Sequence, residues 1–183
     1  MEEPLIPRQG NYKKLLSYQK ADAIFQITYF FCSHFLKKSD RTVDQMVQAA
    51  RSGKQNIAEG TSRSSTSSKT EITLLSVAKA SLIELLEDYE DFLKVHGFAI
   101  WQPGSMEFEY MRNLGRKHND AEFYMNLIQS RPPETIANIC IILLKQTDYL
   151  LFRQLERLGK NFLDEGGFSE RMFRLRNSRR TNK

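Results

Sequence analysis

The fold is decided by residues 49–60, which read Ala49-Ala50-Arg51-Ser52-Gly53-Lys54-Gln55-Asn56-Ile57-Ala58-Glu59-Gly60. Small side chains recur here every three or four residues and therefore share one stripe of a helix. A glycine inside a helix costs about 1 kcal/mol relative to alanine, and close approach of another backbone would compensate for that cost. We therefore expect a surface that packs against another helix or another subunit. Its predicted members are Ala49, Ala50, Gly53, Asn56, Ile57, Glu59 and Gly60.

Helical patterns precede and surround this stretch. The first predicted helix covers residues 13–37, where the apolar face is wider than one partner helix requires. Thr42-Val43-Asp44-Gln45 has the form of a capping box, which marks the start of a helix. It predicts a second helix that ends at Glu59, with Gly60 as its left-handed cap.

Further helices are predicted after a loop rich in serine and threonine. Ser68-Lys69-Thr70-Glu71 is another capping box, and the helix that it opens extends to His96. Two short helices are expected at 106–116 and 120–129, capped by a serine and an asparagine. The last long helix is expected to begin near Glu134.

Together these patterns predict an all-α protein built as an antiparallel four-helix bundle, with an extra insertion of short helices and a basic C-terminal tail. Residues 1–12 form an irregular lead-in, because two prolines and a glycine interrupt them. The bundle domain covers residues 13–165 and contains the insertion at 98–132. Residues 166–183 form the basic tail, which we expect to be disordered or to bind nucleic acid.

Composition limits the class of protein. The chain has 183 residues, of which 40% are hydrophobic and 27% charged, as in an ordinary globular domain. Cys32 and Cys140 lie far apart on apolar segments and are expected to be buried thiols in a reducing cytoplasm. The acidic N-terminus is not that of a signal peptide, and no apolar run approaches the ~20 residues of a membrane span. These features predict a cytoplasmic protein without a membrane partner.

One group of segments resembles a known family. They look like the four-helix-bundle family first noticed in intervening sequences of bacterial large-subunit ribosomal RNA genes. The most specific part is Asn56-Ile57-Ala58-Glu59-Gly60, followed by a serine-rich loop that carries a cation. The other matching segments are Tyr18, Ala21, the Phe30–Phe35 stretch, Gln45-Met46, Ala49-Ala50-Arg51-Ser52 and Ala80-Ser81-Leu82-Ile83-Glu84-Leu85.

The resemblance implies that identical bundles assemble into a ring, typically a pentamer. It also implies kinship with the accessory variability protein of diversity-generating retroelements, a basic pentamer that works with a reverse transcriptase and nucleic acid. This chain departs from the pattern by its segment 98–132 and its extended basic tail, and is similar to the longer subgroup with a suffix region.

Cationic side chains suggest contact with nucleic acid. The formal net charge is +5, and the cations concentrate around the loop after residue 60 and in the tail. A helix N-terminus beside hydroxyl donors suits phosphate oxygens. The alternative is a solvated face whose cations are used in salt bridges. The predicted nucleic-acid-binding residues are Arg51, Lys54, Arg63, Lys69, Arg174, Arg176, Arg179 and Arg180.

Catalytic and metal sites find little support in the sequence. Arg112 and His118, with Asn113 after the arginine, resemble the signature of the all-helical HEPN ribonucleases, but this spacing arises readily in a basic segment. His34 and His96 have no neighbours at metal-ligand spacing. We expect no catalytic residues, no metal and no cofactor.

The sequence therefore favours a non-enzymatic homo-oligomeric adaptor that binds RNA or DNA and delivers it to an enzyme such as a reverse transcriptase. One alternative is a structural ring that scaffolds protein partners and ignores nucleic acid. The other is the HEPN-like ribonuclease.

Overall fold

The chain folds into α-helices, as the sequence predicts. The computed structural model describes residues 11–63 and 67–166 and, beyond them, residues 170, 172–174 and 177. These residues contain helices and turns but no strand. A single 3-10 turn at Tyr12–Lys14 precedes the α-helices. The helices are α1 (Leu16–Phe35), α2 (Arg41–Arg63), α3 (Ser68–Val95), α4 (Met106–Lys117), α5 (Ala121–Ile128) and α6 (Pro133–Glu165).

Side-chain caps fix where three helices begin. Ser105 Oγ accepts a hydrogen bond from Phe108 N at 3.2 Å at the start of α4, as predicted. The caps of α3 and α5 are each displaced by one residue from the predicted position. Ser67 rather than Ser68 caps α3, and Asp120 rather than its neighbouring asparagine caps α5. In each case the capping residue has the extended backbone that an N-cap requires.

The predicted bounds of α2 are wrong at both ends. Asp40 Oδ1 accepts from Thr42 N at 2.9 Å, so the aspartate caps the helix and the expected capping box at Thr42 does not form. The helix also continues through Gly60 to Arg63 instead of ending at Glu59. Gly60 is buried against α3, where an added Cβ would lie 3.3 Å from Leu74 Cβ. Close packing, rather than a left-handed cap, explains the glycine.

Consecutive long helices run antiparallel along the chain. Cys32 near the end of α1 contacts Met46 near the start of α2, with their sulfur atoms 3.9 Å apart. Ser52 of α2 and Ser81 of α3 share a hydrogen bond of 2.9 Å, while Gly60 faces the first turns of α3. Residues near the end of one helix therefore face residues near the start of the next. The chain direction reverses between α1 and α2 and again between α2 and α3.

Helix α6 returns against α1 and α3 and supplies much of the core. Ser17 Oγ donates to Gln154 Oε1 at 3.2 Å, which places the start of α1 beside the second half of α6. Lys79 of α3 pairs with Asp148 of α6. One hydrophobic core therefore extends between α1, α2, α3 and α6. Its largest fully buried side chains include Phe31, Met46, Leu75, Leu85, Tyr89 and Ile136.

Residues 98–132 pack against this core and add buried side chains from α4 and α5 to it. Helix α5 contacts α1, and α4 contacts α6. Asn138 of α6 is 2% exposed. The oxygen and the nitrogen of its side-chain amide both form hydrogen bonds with the start of the segment. Its Oδ1 accepts from Trp101 N at 2.8 Å, and its Nδ2 donates to Ala99 O at 2.9 Å. The segment is thus held against the helical body by a buried polar contact.

Helix α6 differs from the sequence-based expectation about membrane spans. Over Pro133–Asp164 it is long and apolar enough to cross a membrane by length and composition, with a mean hydropathy of 1.3 over its best window. The sequence-based expectation that no segment reaches this threshold is therefore wrong. In the structure 61% of that window is buried, as in the core helix of a helical domain.

Candidate nucleic-acid interface

The stripe of small residues on α2 is used for packing within the chain. Ala49, Ala50, Gly53 and Ile57 are all buried. A Cβ added at Gly53 would lie 2.5 Å from Leu82 Cδ2 of α3, so only glycine permits this approach. The surface predicted from residues 49–60 thus joins α2 to α3 in one copy of the chain.

Two polar residues of the same stretch, Asn56 and Glu59, have different environments. Asn56 Nδ2 donates to Ser52 O at 2.9 Å and to Ser52 Oγ at 3.2 Å. The Ser52 hydroxyl in turn bonds to Ser81 of α3. Asn56 therefore supports the contact between the helices, whereas Glu59 is exposed.

Lys54 is held against α1. Its ammonium donates to Asp22 Oδ1 at 3.2 Å and lies 4.1 Å from the centroid of the Phe25 ring. The lysine side chain is 19% exposed. The Lys54 ammonium, which the sequence suggested as a phosphate contact, is therefore engaged in an ion pair and a cation–π contact.

Arg51 is exposed but lies far from Arg63 along α2. Arg51 and Arg63 are both exposed on α2. The rise of an α-helix separates them by about 18 Å along its axis. Arg63 and Lys69 instead lie at adjoining ends of α2 and α3, because the two helices run antiparallel. Of the four cations predicted in the body, the structure brings these two to the same end.

Cations from other helices gather at this end of the molecule. The 3-10 turn that carries Lys14 contacts both α1 and α2. Arg157 of α6 acts electrostatically on Glu71 in the first turn of α3. We call this region the cationic end. Its exposed cations are Lys13, Lys14, Arg63, Lys69, Arg157 and Lys160.

The cationic end has fewer acidic side chains than cations, and some of these acids are partly neutralised. Glu71 is only 5% exposed, and burial raises the pKa of its carboxyl to about 7 although Arg157 opposes the shift. Glu156 pairs with Arg153 at 3.0 Å. Glu59 and Asp164 are exposed in the same region, so the cations outnumber the acids there.

The opposite end carries the acidic cluster of α3. Burial raises the pKa of Asp88, and the nearby Asp91, Glu84 and Glu87 carboxylates add to the shift. Asp91 also pairs with Lys94. Because this cluster lies in the second half of α3 and the cationic end lies at its first turn, the two groups of charges are far apart along α3.

The tail falls largely beyond the part of the chain that the structure describes. Arg174 is described and exposed. Arg176, Arg179 and Arg180 lie outside the described residues. The predicted contribution of the tail therefore rests on its sequence.

The HEPN-like pair occurs in the segment 98–132. Arg112 Nη1 donates to Glu109 Oε2 at 3.1 Å. The His118 ring stacks on Phe123, with centroids 3.8 Å apart. Both side chains thus have structural partners nearby. Among the described residues no group of three or more His, Cys, Asp or Glu side chains is arranged to hold a metal ion.

Four cations of this end were missed by the sequence reasoning. Lys13 and Lys14 precede α1, while Arg157 and Lys160 lie late in α6, more than 140 residues away. No local motif connects them. Only the antiparallel packing of α1, α3 and α6 brings them near Arg63 and Lys69.

Comparison with known proteins gave no relative for this chain. No protein-family model, curated protein or solved structure matches it.

Proposed function

We propose that this protein is a non-enzymatic adaptor that binds RNA or DNA through its cationic end. The observation that carries the proposal is the convergence of exposed cations from four parts of the chain at one end of the helical body. Phosphate groups supply most of the affinity in sequence-independent nucleic-acid binding. Several exposed lysines and arginines, with one acidic neighbour held near neutral by burial, suit such a polyanion.

The local structure at α3 adds to this argument. Lys69 lies in the first turn of α3, where unpaired backbone amides and the helix dipole favour negative charge. The hydroxyl of Thr70 lies in the same turn and donates to Ser67 Oγ at 2.9 Å. The cap uses the amide and the hydroxyl of Thr70, so what this end offers to a phosphate is the Lys69 cation beside the positive end of the helix dipole.

We further propose that α1, α2, α3 and α6 form a four-helix bundle of the intervening-sequence type, and that the bundle assembles into a homo-oligomeric ring. The antiparallel order of the helices supports the first part. In a ring each cationic end would be repeated around the axis, so weak phosphate contacts would add through multivalency. An enzyme that acts on nucleic acid, such as a reverse transcriptase, would be a suitable partner.

A salt titration with a matched control tests the proposal. Fluorescence anisotropy would follow binding of a labelled RNA and a labelled DNA. The test variant changes Lys14, Arg63, Lys69 and Lys160 to glutamine. The control removes the same charge from the opposite end, at Lys37, Lys38, Arg41 and Lys94.

We expect the test variant to lose most of the affinity, and the slope of log K against log salt on duplex DNA to fall by about 3.6 units, because each of the four lost phosphate contacts removes ~0.9 of slope. The control should bind nearly as the natural protein does. Equal loss in both variants would mean that only net charge matters, and no binding at low salt would refute the adaptor function.

A ring that scaffolds proteins is the second candidate, and the exposed aromatic residues favour it. Tyr29 on α1 is 62% exposed, and Tyr149 and Phe152 on α6 are 62% and 52% exposed. Aromatic side chains are enriched at protein interfaces. Light scattering with and without a short RNA separates the two ideas: a ring that forms but ignores RNA favours the scaffold.

A further inference from the structure

A cavity between α1, α4 and α6 has a cationic wall. Its volume is about 580 Å³, within the range of pockets that bind small molecules. Apolar side chains form one part of the lining, with Phe108 from α4 and Ile142 from α6 among them. The other part carries four cations and no carboxylate. These cations are Lys20, Arg112, Arg116 and Lys145.

Lys20 is the unusual member of this wall. It is only 4% exposed, and its ammonium donates to the backbone carbonyl of Gly115. In the part of the chain that the structure describes, no carboxylate pairs with it. Burial lowers the pKa of its amine to about 8, and no neighbouring charge opposes that shift.

A buried ammonium without a counter-charge destabilises a fold. Removing a charge from water is costly unless the charge is paired and hydrogen-bonded. The ammonium has three N–H donors, and the Gly115 carbonyl uses one of them. Donors therefore remain for an anionic group inside the cavity.

The glycine beside Lys20 lets α4 pack closely against α6. A Cβ at Gly115 would lie 2.5 Å from Gln146 Oε1, so glycine allows α4 to approach α6 at this point. Gln146 Nε2 donates to Arg112 O at 2.8 Å, which anchors the two helices together. Among the described residues Gln146 Oε1 is buried without a hydrogen-bond partner, and as an acceptor it would pair with a donor rather than with a phosphate oxygen.

Two of the cations have acidic partners outside the cavity lining. Arg112 pairs with Glu109 at 3.1 Å, and Lys145 pairs with Glu90 at 3.3 Å. Arg116 is exposed at the cavity wall and forms no ion pair with the described carboxylates. The positive charge that remains uncompensated is thus that of Lys20 and Arg116.

We propose that this cavity binds a phosphate monoester attached to an apolar or aromatic body, with Lys20 and Arg116 holding the phosphate. The apolar lining accepts the body, and the exposed ring of Tyr149 borders it. The phosphate supplies the counter-charge that the buried ammonium lacks. The source is a free small molecule or the terminal phosphate of a nucleic-acid strand, since both present the same chemical group.

Calorimetric titration tests the proposal with phenyl phosphate as the probe and phenol as its uncharged control. A 5′-phosphorylated and a 5′-hydroxyl dinucleotide form a second arm, which distinguishes a strand end from a free monoester. We expect phenyl phosphate to bind and phenol not to bind. A preference for the phosphorylated dinucleotide over phenyl phosphate would identify the strand end as the source.

The variants are Lys20→Met, Arg116→Gln and, as a control outside both the cavity and the cationic end, Lys38→Met. Loss of a charged hydrogen bond should weaken phenyl phosphate binding by about tenfold or more in Lys20→Met. Arg116 is exposed, so its variant is expected to fold, and its binding should also weaken. Lys38→Met should bind as the natural protein does.

Failure of every phosphate probe to bind at millimolar concentration would overturn the proposal, as would unchanged binding in Lys20→Met and Arg116→Gln. These outcomes are independent of the cationic end. Salt-dependent binding of long RNA would persist in Lys20→Met if the adaptor function is correct, whatever happens in the cavity.

Discussion

Gly53 of α2 lies directly against Leu82 of α3, so close that a Cβ on the glycine would come within 2.6 Å of Leu82 Cγ. The leucine is 2% exposed and cannot move toward solvent. The two residues therefore set the distance between the helices at this point.

Gly53→Ala should destabilise the protein by roughly 1–3 kcal/mol, because overpacking of the buried contact exceeds the gain in helix propensity. Chemical denaturation would measure the change. Gly159→Ala is the matched control, since a Cβ at Gly159 in α6 meets nothing within 4 Å. It should stabilise by up to about 1 kcal/mol. Leu82→Ala should largely remove the penalty of Gly53→Ala, and additive effects would contradict the contact.

Glu71 should make stability depend on pH. Burial raises the pKa of its carboxyl in the folded state to about 7, above the ordinary value of 4.5. Between these values the folded chain binds more protons than the unfolded chain, so the free energy of unfolding falls as pH rises. Glu71→Gln should remove this fall and stabilise the protein by roughly 1–2 kcal/mol at pH 8.

Denaturation curves at pH 5, 6, 7 and 8 would check the Glu71 prediction. Glu59→Gln is a suitable control because Glu59 is an exposed glutamate at the end of α2. If both variants keep the slope of the natural protein, the carboxyl of Glu71 is not the group responsible.

Lys20→Met should raise stability near pH 7 by roughly 1–3 kcal/mol, because the variant buries no charge. The pKa of Lys20 is lowered to about 8 in the folded state from 10.5. Between these values the unfolded chain binds more protons, so the natural protein gains stability as pH rises. The advantage of the variant should therefore shrink between pH 8 and 10.5, and a constant advantage would argue against a buried ammonium.

Tyr89→Phe should destabilise the core by about 1 kcal/mol, the usual contribution of one hydrogen bond. The fully buried Tyr89 hydroxyl donates to Thr28 Oγ1 at 3.1 Å and links α3 to α1. Tyr29→Phe serves as a control, because that tyrosine is 62% exposed. Thermal melting of the two variants should separate them, and equal melting temperatures would show that the Thr28 contact adds nothing.

Local features of the sequence predicted the helical class and many helix ends. Gly97 and Gly104 have positive φ angles of 70° and 92° in the segment between α3 and α4. The prediction failed at Gly60, because burial against Leu74 keeps the helix continuous where local preference favours a cap. Tertiary packing outweighed local preference at that residue.

The candidate site was less accessible to prediction. Arg63 and Lys69 are close in sequence and lie at the adjoining ends of two antiparallel helices. Lys160 lies at that end only because α6 packs back against α1 and α3. Lys54 is paired with Asp22, which lies 32 residues earlier in the chain. Both facts depend on how the helices pack, which the spacing of residues in one helix does not determine.

The two native cysteines have a practical consequence for studying assembly. Cys32 and Cys140 are 3% and 0% exposed, and burial raises the pKa of each thiol to about 12. Such thiols react slowly with maleimides, because the reactive thiolate is scarce and shielded. A cysteine introduced on an exposed face would therefore accept a fluorophore or spin label selectively, and distances between copies could be measured without replacing either native residue.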